Sequence, residues 1–176
     1  MAILPIITAP DPVLRQISME VRSVNDEVKQ LMDNMLETMY HDEGIGLAAP
    51  QIGVLKRIIV LDLKEVDQDY NKQNSYKYPL FMVNPVIETI SNETIVAKEG
   101  CLSLPEQVVE VERFPEIKVT YIDYNNNKTI LKTIGWLARA IQHEVDHLNG
   151  VLLIDYLSSM KKDIALRKLT KIKKYS

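Results

Sequence analysis

Apolar residues recur at helical spacing in two stretches of the chain, and a block of shorter apolar segments lies between them. The first stretch predicts an amphipathic helix with a core-packing stripe of Val28, Leu31, Met32, Met35, Leu36 and Met39. Asn25 or Ser23 is placed to cap its start, and Gly44 is placed to end it. Residues 134–149 predict a second helix, which Gly150 ends. One side of this second helix carries Leu137, Ala140, Ile141, Glu144, Val145 and Leu148.

The block between the two helices predicts short strands and turns. The predicted strands cover residues 57–63, 80–83, 86–90, 94–97, 108–112 and 117–123. Residues 124–128 (Tyr-Asn-Asn-Asn-Lys) predict a hairpin turn, and the polar, aperiodic residues 67–78 predict an exposed loop. Strands in a block, without alternating helices, favour an α+β fold with antiparallel sheets. We expect these sheets to pack around the second helix.

Composition and charge narrow the class of protein. A chain of 176 residues with 46% hydrophobic residues fits one globular domain, and no apolar stretch approaches the ~20 residues of a membrane span. The single cysteine excludes an intrachain disulfide and fits a reducing compartment. The N-terminus lacks the features of a secretory signal or a transit peptide. We therefore expect a cytoplasmic protein.

The net charge of −3 conceals an uneven distribution. Residues 158–176 hold seven basic residues and one acidic residue, so they carry +6 and the rest of the chain carries −9. Four apolar residues interleave with these bases: Ile164, Leu166, Leu169 and Ile172. This pattern predicts an amphipathic C-terminal helix. We expect residues 158–176 to be a basic helix of the same domain as residues 1–157.

Residues 143–147, His-Glu-Val-Asp-His, form an H-E-x-x-H motif on the second predicted helix. Residues four apart differ by about 40° around the helix axis, so both imidazoles can reach one metal ion. Glu144 lies beside them and can act as a general base on water activated by the metal. A surface helix with solvated histidines is the plainer alternative. The apolar Ile141, Val145 and Leu148 favour a buried cluster instead, and such a cluster needs a partner such as a divalent cation.

A catalytic metal usually has a third protein ligand and one open position. The chain offers one further histidine, His41, and one cysteine, Cys101. Cys101 lies in the segment Glu-Gly-Cys-Leu-Ser-Leu-Pro, in which Gly100 permits close approach of the backbone and Pro105 ends the segment rigidly. A thiolate is a strong ligand for zinc or ferrous iron, although a lone cysteine is more often a small buried apolar residue.

Residues 44–53, Gly-Ile-Gly-Leu-Ala-Ala-Pro-Gln-Ile-Gly, are rich in glycine but lack the Lys-Ser/Thr ending of a phosphate-binding loop. The plainer interpretation is a close-packed turn between a helix and a strand. The functional interpretation is a substrate cleft lined by backbone, with Gln51 as an amide donor. An amide donor near a metal is what an oxyanion-stabilising site requires.

Together, the segments G-I-G-L-A-A-P-Q-I-G, E-G-C-L-S-L-P and Q-H-E-V-D-H-L-N-G resemble the peptide deformylases in their order and placement. The resemblance extends from the N-terminal region to about Leu157, so it implies that residues 1–157 are the catalytic part. It implies a metallohydrolase that removes the N-formyl group from the formyl-methionine of nascent polypeptides and releases formate. With water as the fourth ligand, the metal is implied to bind Cys101, His143 and His147. Glu144 is implied to be the general base and acid.

The resemblance also implies the roles of the surrounding residues. Gln51 and the backbone N–H of Leu102 would hold the oxyanion, and the Gly46 backbone with neighbouring strand edges would hold the peptide as an added strand. Glu99 and Arg113 match a structural ion pair. The substrate-binding residues would be Gly44, Ile45, Gly46, Gly100, Trp136, Arg139 and Ala140, of which Ile45, Trp136, Arg139 and Ala140 form the methionine pocket. Val108 stands where some members have an arginine, so no role in peptide binding is assigned to it.

For partners and cofactor, the resemblance implies one divalent ion, natively Fe²⁺, which Zn²⁺ or Ni²⁺ can replace. It implies a monomer of the bacterial cytosol that acts on N-formyl-methionyl nascent peptides and binds neither DNA nor membranes. The basic C-terminal helix is expected to dock on the ribosome near the tunnel exit, through contacts with phosphates.

Three alternatives stay open from the sequence. A zincin-like metallopeptidase would need a third ligand after His147, where no histidine follows and Asp155 is the one acidic candidate considered. A protein without enzymatic activity could keep the fold and associate with ribosomes. An enzyme that uses Cys101 as a thiol nucleophile would keep its activity after metal chelation.

Overall fold

The computed structural model describes residues 2–68 and 76–176. Its α-helices are α1 (Asp26–His41), α2 (Gly135–Leu148) and α3 (Ser159–Tyr175). Its strands are β1 (Gly46–Ala48), β2 (Ile58–Leu61), β3 (Leu80–Thr89), β4 (Ile95–Gly100), β5 (Val108–Arg113), β6 (Glu116–Ile122) and β7 (Lys128–Ile134). Short 3₁₀ helices span Pro12–Arg15, Ala49–Ile52 and Leu153–Tyr156.

The strands form two antiparallel sheets. Five strands lie in the order β1-β2-β3-β6-β7, and β4 and β5 form a separate hairpin. The prediction of an α+β fold with antiparallel sheets is confirmed. The hairpin carries Glu99 and Gly100 at its end, immediately before Cys101, so this small sheet delivers one of the predicted metal ligands.

The five-stranded sheet lies between α1 and α2. On one face, Met32, Met35 and Met39 of α1 pack in a cluster with Ile58 and Val60, which confirms the core role of the methionine stripe. Ile59 and Leu61 point to the opposite face, where they join a cluster with residues of α2 that include Leu137, Ile141 and Leu148. Because β2 is buried on both faces, its sequence is a continuous apolar run rather than an alternating one.

The start of α1 follows the prediction, but its end does not. The Asn25 side chain caps the helix by accepting a hydrogen bond from the backbone N–H of Val28 at 2.9 Å. The helix ends at His41, and Glu43 rather than Gly44 adopts the left-handed conformation, with φ of 56°. Gly44 meets a different need, because a Cβ there would lie 2.8 Å from a methyl carbon of Leu102.

The strand predictions need three corrections. The segments predicted at 80–83 and 86–90 form one strand, β3, which ends at Thr89. The strand is bulged where Asn84 takes a φ of 52° and bonds the backbone of Val21. The strands β1 and β7 were not predicted. The hairpin turn at residues 124–128 is confirmed by the bond from Asp123 N–H to the Asn127 carbonyl. The central part of the loop predicted at 67–78, residues 69–75, lies outside the described residues.

The C-terminal helix α3 packs on the body through a narrow apolar stripe. Ser158 caps it, and Ala165 and Leu169 are buried in a cluster with Leu14 and Leu152. Ile164, predicted in the apolar stripe, is 44% exposed instead. No helix in the described part of the chain is long and apolar enough to cross a membrane.

Gly150 follows the end of α2, where both the backbone conformation and the small space beside Arg15 require a glycine. Its φ is 72°, and an added Cβ would lie 2.4 Å from the carbonyl oxygen of Arg15. We expect Gly150→Ala to lower the free energy of unfolding by about 3 kcal/mol, through left-handed strain and this backbone clash. Urea denaturation measures the change. The control is Gly100→Ala, whose Cβ would meet only the Gln107 carbonyl at 3.9 Å. Equal stability of the two variants would contradict the prediction.

Candidate active site

The three predicted metal ligands converge on one point between the β4–β5 hairpin and α2. Cys101 follows β4, and His143 and His147 lie one turn apart on α2. Their possible ligand atoms all lie within 4.8 Å of one another, and the Cys101 Sγ is 3.3 Å from the His147 Nε2. Among the described residues, these three side chains form a group that could hold one metal ion. The spacing predicted from the H-E-x-x-H motif therefore holds in the structure.

A buried carboxylate orients His143. Its Nδ1 lies 2.8 Å from a carboxylate oxygen of Glu99, which leaves Nε2 free for the side of Cys101. Burial lowers the pKa of His143, but the hydrogen bonds to Cys101 and Glu99 outweigh burial and hold that pKa well above its ordinary value. Burial lowers the pKa of His147 well below its ordinary value. His147 therefore stays neutral, which is the form of imidazole that coordinates a metal, whereas His143 would release its proton when a metal binds.

Glu99 is the centre of a buried ionic network. Arg113 donates to both of its carboxylate oxygens at 3.0 Å, so the ion pair implied by the resemblance is present. Arg139 adds a third donor at 2.6 Å. Burial raises the pKa of Glu99, but the bonds from His143 and Arg113 outweigh it and lower that pKa to about 2. Glu99 therefore stays ionised and holds three side chains from β5 and α2.

A second layer of this network was not predicted from the sequence. Arg113 also donates to Asp146 at 2.7 Å, and Tyr156 donates to the same oxygen at 2.6 Å. The Arg113 guanidinium stacks over the Tyr156 ring at 5.2 Å. Burial and the bond to Asp146 raise the pKa of Tyr156 to about 12, which keeps its hydroxyl a donor. Asp146 is the fourth residue of the H-E-x-x-H motif, so the motif itself is tied to β5.

Glu144 lies buried beside the ligands. Its Oε1 is 3.9 Å from the His143 Nε2, and its Oε2 has no hydrogen-bond partner among the described residues. Burial raises the pKa of Glu144 to about 7. A buried carboxylate oxygen without a partner is costly in a structural role, and it is the arrangement expected of a group that exchanges protons with a ligand.

Gly46 sets the position of Glu144. A Cβ at Gly46 would lie 2.6 Å from the Glu144 Oε1, so the carboxylate packs directly on the glycine backbone. We expect Gly46→Ala to displace the carboxylate and lower kcat by about 10²-fold, without loss of bound metal. Release of formate, the product that the resemblance implies, measures this effect. In a Glu144→Gln background the same substitution should change kcat little, and a further 10²-fold loss there would contradict the prediction.

Gln51 is fixed with its amide nitrogen toward the ligands. Its Oε1 accepts from the Ala48 N–H at 2.9 Å, and its Nε2 donates to Ser103 Oγ at 3.0 Å and lies 3.7 Å from Cys101 Sγ. Gln51 is 1% exposed and Ser103 is fully buried. The amide donor is therefore preorganised, with the hydroxyl of Ser103, which the sequence did not single out, as its support.

An open cavity of about 520 Å³ leads to the ligand group. Every substrate-binding residue expected from the sequence lines it: Gly44, Ile45, Gly46 and Gly100 on the loop and strand side, and Trp136, Arg139 and Ala140 on the side of α2. Cys101, Leu102, His143 and Glu144 line it as well. The charged Glu43, Lys98 and Glu106 and the exposed Val108 also line it, without having been predicted.

Two residues weighed as further ligands lie elsewhere. His41 is exposed and bonds Asp42 at 2.8 Å. Asp155 binds Arg15, Lys162 and the backbone N–H of Leu152. Burial opposes its ionisation, but these bonds lower the pKa of Asp155 below its ordinary value. Asp155 is therefore not available as the third metal ligand that the zincin-like alternative needs.

A cysteine sulfur and two imidazoles that converge beside a buried glutamate, at the end of a cleft, are the parts of a metallohydrolase site. A family model described as polypeptide deformylase matches residues 3–163. The chain belongs to the peptide deformylase family. These enzymes are metallohydrolases that remove the N-formyl group from nascent polypeptides, so the recognition made from the three motifs is confirmed.

Individual relatives cover nearly the whole chain. A peptide deformylase of Orientia tsutsugamushi (strain Ikeda) is 63% identical over 175 residues, which are 98% of this chain and 97% of the relative. One of Rickettsia canadensis is 54% identical over 98% of both chains. The crystal structure of peptide deformylase from Ehrlichia chaffeensis has a TM-score of 0.91 at 43% identity and covers 99% of this chain and 98% of that one. A complex of the Ehrlichia enzyme with actinonin has a TM-score of 0.89 and 44% identity over 97% and 98% of the two chains.

Proposed function

We propose that this chain releases formate from the formyl-methionine of nascent polypeptides, with Cys101, His143 and His147 as the ligands of one divalent ion and Glu144 as the general base and acid. Family membership supports the reaction. The observation that carries the site is the convergence of the three ligand side chains within 4.8 Å, beside a glutamate oxygen that has no partner among the described residues.

The donor set fits such an ion. One sulfur and two imidazole nitrogens suit ferrous iron, zinc or nickel, and Glu99 holds His143 with its Nε2 turned inward. We propose Fe²⁺ as the native ion, replaceable by Zn²⁺ or Ni²⁺. When bound, the ion supplies Lewis acidity, which makes water acidic enough to lose a proton near neutral pH.

The side chains of the chain account for the movement of protons and charge. Glu144 accepts a proton from the attacking water, whose oxygen bonds to the formyl carbon. Gln51 Nε2 and the backbone N–H of Leu102 donate to the oxyanion that forms, and each such donor is worth about 3 kcal/mol. Glu144 then gives its proton to the leaving nitrogen as the C–N bond breaks. The products are formate and a free α-amino group.

The cavity accounts for the choice of substrate. We propose that Ile45, Trp136 and Ala140 contact the methionine side chain, a flexible thioether that fits an apolar slot. The peptide backbone would pair with Gly46 and with the neighbouring strand edges. We propose that a formyl group can enter beside the ligands, whereas the extra methyl of an acetyl group would clash there. Equal turnover of acetyl-methionyl and formyl-methionyl peptides would contradict this proposal.

The proposed function is tested by anaerobic metal analysis coupled to formate release from formyl-Met-Ala-Ser. We expect about one equivalent of divalent metal, turnover that stops on chelation, and recovery on readdition of Fe²⁺ or Ni²⁺. An internal peptide without a formyl group, as the control, should remain intact. A protein that holds metal and releases no formate would overturn the proposal. Activity that survives chelation would favour the thiol-nucleophile alternative.

We further propose that residues 158–176 are a basic part of the same domain that docks on the ribosome near the tunnel exit. Two of the seven bases serve the fold, because Lys162 pairs with Asp155 and Lys173 bonds Thr8 and Asp11. Four others are exposed on the surface of the helix and can neutralise phosphates: Arg167, Lys168, Lys171 and Lys174. We propose that the chain acts as a monomer in the bacterial cytosol.

Neutralising those four bases should weaken ribosome binding by about tenfold or more at low salt and leave turnover of a short formyl-peptide unchanged. This design is preferable to deletion of residues 166–176, which would remove the buried Leu169. Cosedimentation with ribosomes measures binding. The control neutralises four exposed lysines of the body, Lys64, Lys77, Lys128 and Lys132. Unchanged cosedimentation of the helix variant would reject the proposal.

A further inference from the structure

Arg139 lines the cavity, but its guanidinium is committed to the protein. Arg139 is 7% exposed, and it donates to Glu99 at 2.6 Å. It also donates to two backbone carbonyls, those of Val111 at 2.9 Å and Ile95 at 2.5 Å. These carbonyls belong to β5 and β4. One side chain of α2 therefore bonds both strands of the hairpin and the carboxylate that orients His143.

The bond to Glu99 completes the set of donors around that carboxylate. Glu99 accepts two bonds from Arg113, one from His143 and one from Arg139. A carboxylate offers about four lone-pair sites, so all of those of Glu99 are occupied. The four donors together fix the orientation of the carboxylate. Without Arg139, one oxygen would keep a single donor and the carboxylate could tilt away from His143.

Arg139 also fixes the distance between the two elements that carry ligands. Cys101 directly follows β4, whereas His143 and His147 lie on α2. Arg139 precedes His143 by four residues, so both side chains lie on the same face of α2 and grip Glu99 together. Loss of the two carbonyl bonds would let the hairpin move relative to the helix.

We propose that Arg139 is a positioning residue for the metal centre, acting through Glu99 and the β4–β5 hairpin, rather than a determinant of the methionine pocket. The proposal rests on the proposed role of Cys101, His143 and His147 as metal ligands. Side chains that support ligands in this way typically affect metal affinity or activity by about 10- to 100-fold.

The sign of the effect separates positioning from simple electrostatics. Arg139 is a cation near the site, so its removal would by charge alone strengthen the binding of a divalent cation. Lost orientation has the opposite effect. Lys98 is the matched control, because it is a cation that lines the same cavity and has no hydrogen bond to Glu99 among those of the described residues.

The experiment uses the Co²⁺-substituted protein and follows metal release to EDTA, together with the thiolate charge-transfer absorption. We expect Arg139→Leu to release Co²⁺ about tenfold faster than the wild type and to alter the absorption. Lys98→Leu should release it at the wild-type rate or more slowly. Arg139→Lys keeps the charge and one bond to Glu99, so its rate should fall between those of Arg139→Leu and the wild type.

Kinetics provide a second readout. Under the proposal, Arg139→Leu lowers kcat more than it raises KM, and the ratio of kcat/KM for formyl-methionyl and formyl-leucyl peptides stays near that of the wild type. A destabilised control, Met32→Ala, removes most of a fully buried side chain of α1, in the core cluster on the opposite face of the five-stranded sheet from α2. It should lower the unfolding midpoint without changing the Co²⁺ absorption.

Metal release from Arg139→Leu at the wild-type rate or more slowly would overturn the proposal, as would a changed preference between the two peptides with unchanged absorption. If the leucine variant does not fold, Arg139→Lys decides, because one nitrogen on a shorter side chain then replaces the two guanidinium nitrogens that bond Glu99 and the two carbonyls. Release from it at the wild-type rate would overturn the proposal. Failure of the wild type itself to bind Co²⁺ would instead refute the proposed ligand set.

Discussion

Glu144→Gln is expected to lower kcat for formate release by about 10³-fold while the metal stays bound. Glutamine has nearly the same shape as glutamate and fits against Gly46, but its amide cannot accept the proton of the attacking water. Glu144 is buried, with one carboxylate oxygen that has no partner among the described residues. Glu99 also contacts a ligand, but two arginines and His143 engage both of its oxygens, so it cannot serve as a substitute base.

The measurement is kcat with formyl-Met-Ala-Ser under anaerobic conditions, with metal content determined on the same sample. Glu110→Gln, which changes an exposed carboxylate of β5, is the control and should behave as the wild type. A Glu144→Gln variant that holds metal and keeps more than about a tenth of the wild-type kcat would show that another group moves the proton.

The sequence predicts elements best where local pattern and burial agree. The methionine stripe of α1 and the apolar run of β2 are visible because each is buried in the layer that its periodicity indicates. The strand β1 was missed because its residues Gly46–Ala48 have low strand propensity, and pairing with β2 imposes their extended form. The prediction that Gly44 ends α1 is wrong, because a glycine is needed there for the close packing of Leu102, a residue distant in sequence.

The candidate site shows the same division. The two histidines and Glu144 could be placed from helical geometry alone, since they lie within one turn of α2. Cys101 needed the resemblance, because nothing local in its segment places it against α2. Arg139 was expected in the pocket, and its bonds to the backbone of β4 and β5 depend on contacts across 28 to 44 residues. Such contacts follow from topology, which no periodicity encodes.

Cys101→Ala is expected to abolish both stoichiometric metal binding and turnover. The variant leaves two imidazoles as ligands, and a catalytic site needs about three protein ligands to hold its ion. Neither His41 nor Asp155 can take the place of the thiolate, because each is engaged elsewhere. We expect metal content to fall from about one equivalent to less than about 0.1. Metal analysis after dialysis measures it, together with formate release.

Cys101→Asp separates a metal ligand from a nucleophile, because a carboxylate binds divalent ions but is not a thiol. We expect this variant to regain part of the metal that Cys101→Ala loses. Since the chain has a single cysteine, iodoacetamide labelling of the wild type reports on Cys101 alone, and bound metal should protect it. Equal labelling with and without metal would show that Cys101 is not a ligand. Formate release by the chelated wild type, lost on alkylation, would show that the thiol itself carries the chemistry.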